Sequence, residues 1–427
     1  MDQQILIVGA GAAGWMAARE LLAAGRLVTL LEASEKSGGR ICNRILPGFD
    51  QPVEEGAEFV HGSLPLTLGI LAEAGIRYYH SAGRMLQFNA GSWTSGEGNS
   101  AGWSELARRM ALLRDDMTVD GFLMKYFRAA KYRELRRSVR GFSDGFDLAD
   151  PSRTNLFGLR KEWLAEEEGQ FRIEGGYQAL VDFLEKQCIS MGATLELGQA
   201  VKKLSWRRGQ VEALTSDGRR YAGSAALLTV PLSIWQLEPG LLESIYFDPA
   251  LPELHRWARQ IGFGRVIKVI LQFREPFWEK RKRDMGFLLS DQLIPTWWTH
   301  LPERRNTLTA WIGNSRAEAL SGADPESLIF LSLHSLSAVF GLEITELRQL
   351  QTAFHVANWQ EKAHIRGGYS FSTLESEAAI RQMAEPIQET LFLAGEAIYA
   401  GDSPGTVEAA LASGREAADR ILQTHSG

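Results

Sequence analysis

Residues Gln4-Ile5-Leu6-Ile7-Val8 form a short apolar run rich in strand formers, and Gly9-Ala10-Gly11-Ala12-Ala13-Gly14 follows at once. This is GxGxxG after a strand. From Trp15 to Ala24 the pattern is helical, Gly25 ends it, and Leu27 to Leu31 make a second apolar strand that finishes at Glu32. The order predicts a β-α-β unit.

Each part of that unit suits the grip on a pyrophosphate. Gly9 allows the tight turn, Gly11 lets the backbone approach the phosphates, and Gly14 lets helix and strand pack closely. The free N–H groups and positive end of the helix then face the anion, with Ala13 in its first turn. Glu32, at the end of the second strand, is placed to accept hydrogen bonds from an adenosine ribose and would repel a 2′-phosphate. A bare GxGxxG is a weak signal, since glycine-rich turns are common. The strand, helix, second strand and acidic cap together predict a dinucleotide site.

Gly38-Gly39-Arg40 comes soon after the second strand, where two residues without side chains allow another close backbone approach and a guanidinium can reach phosphate or flavin oxygens. By itself this is an ordinary loop. The stretch from Ile5 to Arg40 nevertheless resembles the amino-terminal signature of the FAD-dependent amine oxidases, the monoamine and polyamine oxidase-like family. That resemblance implies that Gly38, Gly39 and Arg40 lie along the flavin side of FAD, with Ala33 beside Glu32 at the adenosine end.

Composition leaves room for such an enzyme. At 427 residues the chain is long for one core and predicts two domains. Charged residues are 23% and the formal net charge is −6, so nucleic acid is not an expected partner. Cys42 and Cys188 lie far apart with no metal-ligand spacing, which fits free thiols, a reducing compartment and no metal. The chain opens directly into its first strand, and no apolar run reaches about eighteen residues uninterrupted by charge or proline. The expectation is a cytoplasmic, membrane-free protein.

Further along, Glu55-Gly56-Ala57-Glu58-Phe59-Val60-His61-Gly62 resembles the family segment that runs past the flavin ring. Gly56, Ala57 and Glu58 are thereby cofactor contacts, and His61 is a candidate for the substrate face, although a lone histidine is more often structural. Asn89 to Gly102 is rich in Gly, Ser and Asn and reads as a loop, opening a basic helical region from Trp103 to Arg140 that is most simply a solvated helix face. A helix from Gln178 to Met191 and short strands from Thr194 to Thr215 follow, with Asp217-Gly218 as a hairpin turn. The resemblance places Val201 against the adenine through its backbone.

Lys268 stands inside the apolar run Val266 to Phe273, where a lysine is costly unless its ammonium reaches water or a partner. Pattern alone points it outward from an amphipathic strand. With Phe273, Phe277 and Trp278 following, it resembles the family lysine that holds a water against flavin N5. Trp297, Trp298 and Trp311 lie in strand-like surroundings, Trp298 as a cavity candidate, and Ser315 to Leu350 is helical by pattern. Trp359 and then Arg366-Gly367-Gly368-Tyr369-Ser370 resemble the flavin-facing turn, with Tyr369 as one wall of an aromatic cage. Gly368 stands where monoamine oxidases carry the cysteine bonded to flavin, which implies non-covalent FAD.

The carboxyl-terminal strand Leu391 to Glu396 matches the family's second ribitol and phosphate contact at Gly395 and Glu396. Ser403 and Pro404 predict an N-cap and first turn for a helix from about Gly405 to Leu422. Its positive end, with Thr406 and Val407, would favour the reduced flavin. Thr406 sits where monoamine oxidases place a second cage tyrosine.

The implied fold is α/β: a Rossmann-like, glutathione-reductase-like FAD-binding domain from residues 1–80, 171–232 and 385–427. An inserted α+β substrate-binding domain takes residues 81–170 and 233–384. The implied activity is oxidation of a small-molecule amine by hydride transfer to flavin N5, with imine hydrolysis and reoxidation by O2 to H2O2. Lys268, Tyr369, His61 and Thr406 are the catalytic candidates. Relatives of this fold also desaturate non-amine substrates, and a regulatory flavoprotein that only binds its cofactor stays open as well.

Overall fold

The computed structural model describes residues 4–95, 102–166, 169–401 and 403–425. Five parallel strands stand in the spatial order Thr194–Glu196, Leu27–Leu31, Gln4–Val8, Ala225–Leu228 and Leu391–Leu393. Both faces of this sheet are covered, which is why Ile5 to Val8, Ala225–Leu228 and Leu391–Leu393 are apolar at every position instead of every second one. Ile5 and Ile7 pack towards helices Ala12–Ala23, Gln178–Ser190 and Val407–Thr424. Leu6 and Val8 pack the other way, against a second sheet of Val201–Arg207, Gln210–Thr215, Arg220–Gly223 and Tyr246–Asp248.

The first and last helices cross so closely that a methyl group at Gly414 would strike the Ala13 carbonyl. One glycine therefore joins the two ends of the chain over the dinucleotide turn.

A seven-stranded sheet forms the rest of the frame, in the order Gln351–Asn358, Val266–Phe273, Thr307–Gly313, Thr296–Trp298, Met285–Ser290, Arg84–Asn89 and Ser92–Ser95. All eight residues of Val266–Phe273 are buried. Ile267, Val269, Leu271 and Phe273 point into a core closed by helix Pro325–Phe340. By strand alternation Lys268 points to the opposite face, which is covered too. The helices Trp103–Ala111, Val119–Tyr126, Arg133–Gly145 and Leu156–Glu166 gather around a smaller core of Phe122, Phe127 and Leu135.

We propose the two-unit division on this packing, with Tyr246–Asp248 and helix Pro252–Gln260 contributing to the core beneath the cofactor-binding sheet.

Three local expectations change. Ser92–Ser95 is a strand and not loop, because Ala90 and Gly91 both take positive φ, 48° and 77°, and turn the chain back as a two-residue hairpin. The loop expectation for 96–101 lies outside the described residues. Ser315 to Leu350 breaks into Asn314–Ala319, Pro325–Phe340 and Ile344–Leu350, the last break falling at Gly341 in the left-handed conformation. The last helix begins at Val407 with Thr406 as its cap, because Gly405 at φ 73° keeps Ser403 and Pro404 out of the helix. Among the described residues no single helix is long and apolar enough to cross a membrane.

Candidate active site

A cavity of about 370 Å³ runs between the two frames, from the glycine turn and Glu32 to the aromatic residues of the seven-stranded sheet. That volume is in the range of ligand sites. At the glycine end, Gly11 caps helix Ala12–Ala23 without any side-chain hydrogen bond, and Gly11, Ala12 and Ala13 line the cavity. Uncapped N–H groups at a helix start are an anion site. Gly14 stands behind the cavity lining, in the packing role its place in the motif implies. A Cβ there would strike the Gly9 carbonyl, so its role is the tight packing of helix on turn.

Glu32 is 7% exposed and braces the turn. Its Oε2 accepts from Ala10 N at 2.8 Å and its Oε1 from Ser34 N at 2.9 Å, while Ala33, Ser34 and Val201 border the cavity beside it. Further in, Gly38 and Gly39 adopt φ of 115° and 61°, a conformation that favours glycine. Arg40 Nη1 donates to Glu396 Oε1 at 2.6 Å and to the Gly368 carbonyl at 2.8 Å. Glu396 Oε2 in turn accepts from Ser370 Oγ at 2.5 Å. The Glu396 carboxylate is thus spent on positioning Arg40 and the Gly368 turn.

Lys268 is 1% exposed and borders the same cavity. Its ammonium donates to the Glu54 carbonyl at 2.9 Å, the Gly56 carbonyl at 3.1 Å and Glu58 Oε2 at 2.8 Å. Each N–H faces a protein oxygen, so a water here shares a donor and does not take a free one. Glu58 Oε1 accepts from Arg172 Nη1 at 2.5 Å and Trp298 Nε1 at 2.9 Å. Burial raises the Glu58 carboxyl's proton affinity, but the Lys268 ammonium and Arg172 guanidinium outweigh it and hold the group well below the usual carboxylate range. Glu58 borders the cavity, and its carboxylate is held by this cluster. Low dielectric makes such a pair demanding to satisfy, and here both Glu58 oxygens and the Lys268 ammonium have partners in hydrogen-bond range, while Arg172 Nε has none among the described residues.

The sequence profile of flavin containing amine oxidoreductases matches residues 12–422. The chain belongs to this family. Its cofactor is FAD. A lysine-specific histone demethylase 1 homolog 2 of Oryza sativa is 26% identical over 98% of this chain and 57% of its own length. The chain spans little more than half of that relative. A putrescine oxidase of Kocuria rosea is 26% identical over 87% of this chain and 85% of its own. A solved structure of putrescine oxidase bound to putrescine superposes with a TM-score of 0.83 at 20% identity, covering 99% of both chains.

The residues present fit the family's flavin. A Cβ at Gly56 would collide with the Arg40 carbonyl and approach the Trp359 ring, so the backbone alone forms the wall from Gly56 to Ala57. Trp359 Nε1 donates to the Glu55 carbonyl at 2.9 Å and fixes that wall. Gly368 borders the cavity and no cysteine lines it, in keeping with FAD held without a covalent bond. Gly395, Thr406 and Val407 border the opposite side, where the helix Val407–Thr424 starts. Thr406 Oγ1 accepts from Ala409 N at 3.1 Å, which makes it a helix cap in the cavity wall.

At the far end Tyr369 and Trp311 lie nearly parallel, 25° apart with centroids 6.4 Å apart. Tyr369 OH donates to the Phe146 carbonyl at 2.7 Å, so the ring is fixed as a wall. Trp298, Phe59 and Phe287 close the other side. His61 borders this end, and burial lowers its imidazole to about 4, a poor base at neutral pH.

Sequence reasoning missed Trp311, Asp147 and Arg172. Arg172 stands between Phe171 and Ile173, a charge within an apolar strand, which is the same signal that singled out Lys268. Asp147 gave no such signal, since one acid in a polar helix end is ordinary.

Proposed function

We propose that the chain oxidises a small amine carrying a second cationic group. The carrying observation is the aromatic end of the flavin cavity, walled by Tyr369, Trp311 and Trp298, with the carboxylate residue Asp147 in its lining. Bound FAD supplies the acceptor for a hydride from the carbon beside the amine nitrogen, the imine then hydrolyses, and O2 takes the electrons to give H2O2.

This chain's residues prepare that event. The aromatic walls exclude water and disfavour a charged amine between them, so the reacting nitrogen is held in its neutral form. Asp147 is 7% exposed and receives Trp163 Nε1 at 3.4 Å, which steadies an acceptor for a distant ammonium. His61, steadied by Gln170 at 3.3 Å, adds a polar contact that stays uncharged at neutral pH. Lys268 brings a fixed positive charge to the same end, favouring negative charge as it develops.

A panel of mono-, di- and polyamines with peroxide detection tests the reading. Peroxide is expected with amines, and Asp147→Asn is expected to raise KM for diamines by about tenfold, roughly 1.4 kcal/mol of binding. Peroxide from no amine contradicts it.

A further inference from the structure

The Lys268 cluster extends past the main cavity to a second carboxyl, Glu54, which the oxidation just described does not use. Glu54 sits in the short strand Val53–Glu54 and gives its carbonyl to Lys268 Nζ at 2.9 Å. Its side chain turns the other way: Oε1 is enclosed, has no hydrogen-bond partner among the described residues, and rests against Gly176, where a Cβ would occupy its place. A small cavity of about 10 Å³, the size one water needs, is bordered by Glu54, Glu58, His300 and Arg305, and reaches exposed Gln51 and Pro52. Glu58 borders both cavities.

We propose that Glu54, half-buried as a residue with its Oε1 enclosed, is a proton-holding group that switches the Lys268 cluster between one net positive charge and none. The count follows from the groups facing it. Glu58 is negative, Lys268 and Arg172 are positive, and all three are joined by hydrogen bonds of 2.5 to 2.8 Å. Arg305 is paired with Glu303, and burial keeps His300 neutral. On the remaining side stand Asn43 and Tyr177, both uncharged, the tyrosine's proton held by burial. A protonated Glu54 leaves the set at plus one, and an ionised Glu54 brings it to zero. Burial and the Glu58 charge push the Glu54 carboxyl up to about 8, so the change falls within the working range of a neutral or mildly alkaline solution. The step is a proton equilibrium alone, in which the O–H bond of Glu54 breaks and the proton passes towards solvent by the small cavity.

The consequence is a pH-dependent field at the flavin end of the main cavity. This rests on the flavin reading of that cavity. Glu54 acts through Lys268 and Glu58 and is therefore a positioning residue. Loss of the positive charge as pH rises through about 8 makes an electron acceptor bordered by Lys268 harder to reduce.

Two measurements on purified holoprotein test it. Infrared titration should show a protonated-carboxyl band that fades as pH rises through about 8 in wild type and Glu54→Asp and is missing in Glu54→Gln. The potential of the bound flavin should fall more steeply with pH across the same range in wild type and Glu54→Asp. In Glu54→Gln the extra slope should be lost and the potential should stay on the wild-type acid limb. Parallel slopes in all three proteins with flavin bound, or a band unchanged by Glu54→Gln, overturn the switch alone. Protein that holds no flavin overturns the flavin reading and, with it, the link to the cofactor.

Discussion

Lys268 Nζ and Glu58 Oε2 meet at 2.8 Å with 1% and 3% of their side chains exposed. A pair so sealed is held by its partners or not at all, and Arg172, Trp298 and two main-chain carbonyls complete it. Breaking such a pair from one side leaves a buried charge, which typically costs about 3–5 kcal/mol.

Lys268→Met is therefore expected to lower stability by several kcal/mol at most, since Arg172 and Trp298 still hold Glu58. Adding Glu58→Gln should deepen the loss, because it strands the buried Arg172 guanidinium that Glu58 neutralises, and a double-mutant cycle by thermal or urea denaturation reads the coupling. In rapid mixing, the single variant should retain FAD and show reoxidation slowed by about tenfold or more, roughly 1.4 kcal/mol of barrier, with anaerobic reduction less affected. Equal rates in both half-reactions would leave Lys268 a purely structural lysine.

Glu32→Ala should weaken FAD retention without altering amine preference, because the carboxylate braces Ala10 and Ser34 at the end remote from Tyr369. It should also destabilise the flavin-free chain by about 1–3 kcal/mol, as two N–H groups lose their acceptor. Flavin occupancy and the amine profile are the readouts. A changed profile at full occupancy counts against this placement.

Acid or heat denaturation should release all flavin into solution, because Gly368 offers no sulfur and no cysteine lines the cavity. Colour remaining with the precipitated polypeptide contradicts this.

Burial holds His61 down to about 4 from an ordinary 6.5. The unfolded chain takes a proton there that the folded protein refuses, so this contribution to stability is whole above about pH 6.5 and is lost as pH falls towards about 4. In His61→Gln the melting temperature should depend less on pH across that window. An unchanged dependence shows the imidazole to be open to solvent.

Glu408 ties the last helix to helix Pro65–Ala74, accepting from Leu66 N at 2.8 Å and from Thr67 N and Oγ1 at 2.7 Å each. Glu408→Ala strands these donors beside a helix start and should cost about 3 kcal/mol, read by denaturation. No stability change would mean that water replaces the carboxylate.

The dinucleotide half was legible in the sequence because its constraints are local. Gly9, Gly11, Glu32 and the flanking strands lie within forty residues, and each residue type answers one geometric need. The Lys268 cluster was legible only as an anomaly, a lysine in an apolar strand. Its partner Glu58 is 210 positions away, and Arg172 comes from a third segment. Thr406 was placed in the cavity wall, but its capping bond required knowing that Gly405 turns left-handed. Glu54 gave no warning, because beside Glu55 in sequence it reads as surface charge and only the fold encloses it.

The most direct test of the account is anaerobic mixing of the flavoprotein with a diamine. The flavin absorbance should bleach in proportion to amine, and admitting O2 should restore it with one equivalent of H2O2. Flavin that stays oxidised with every amine offered would contradict the assignment of amine oxidation to this cavity.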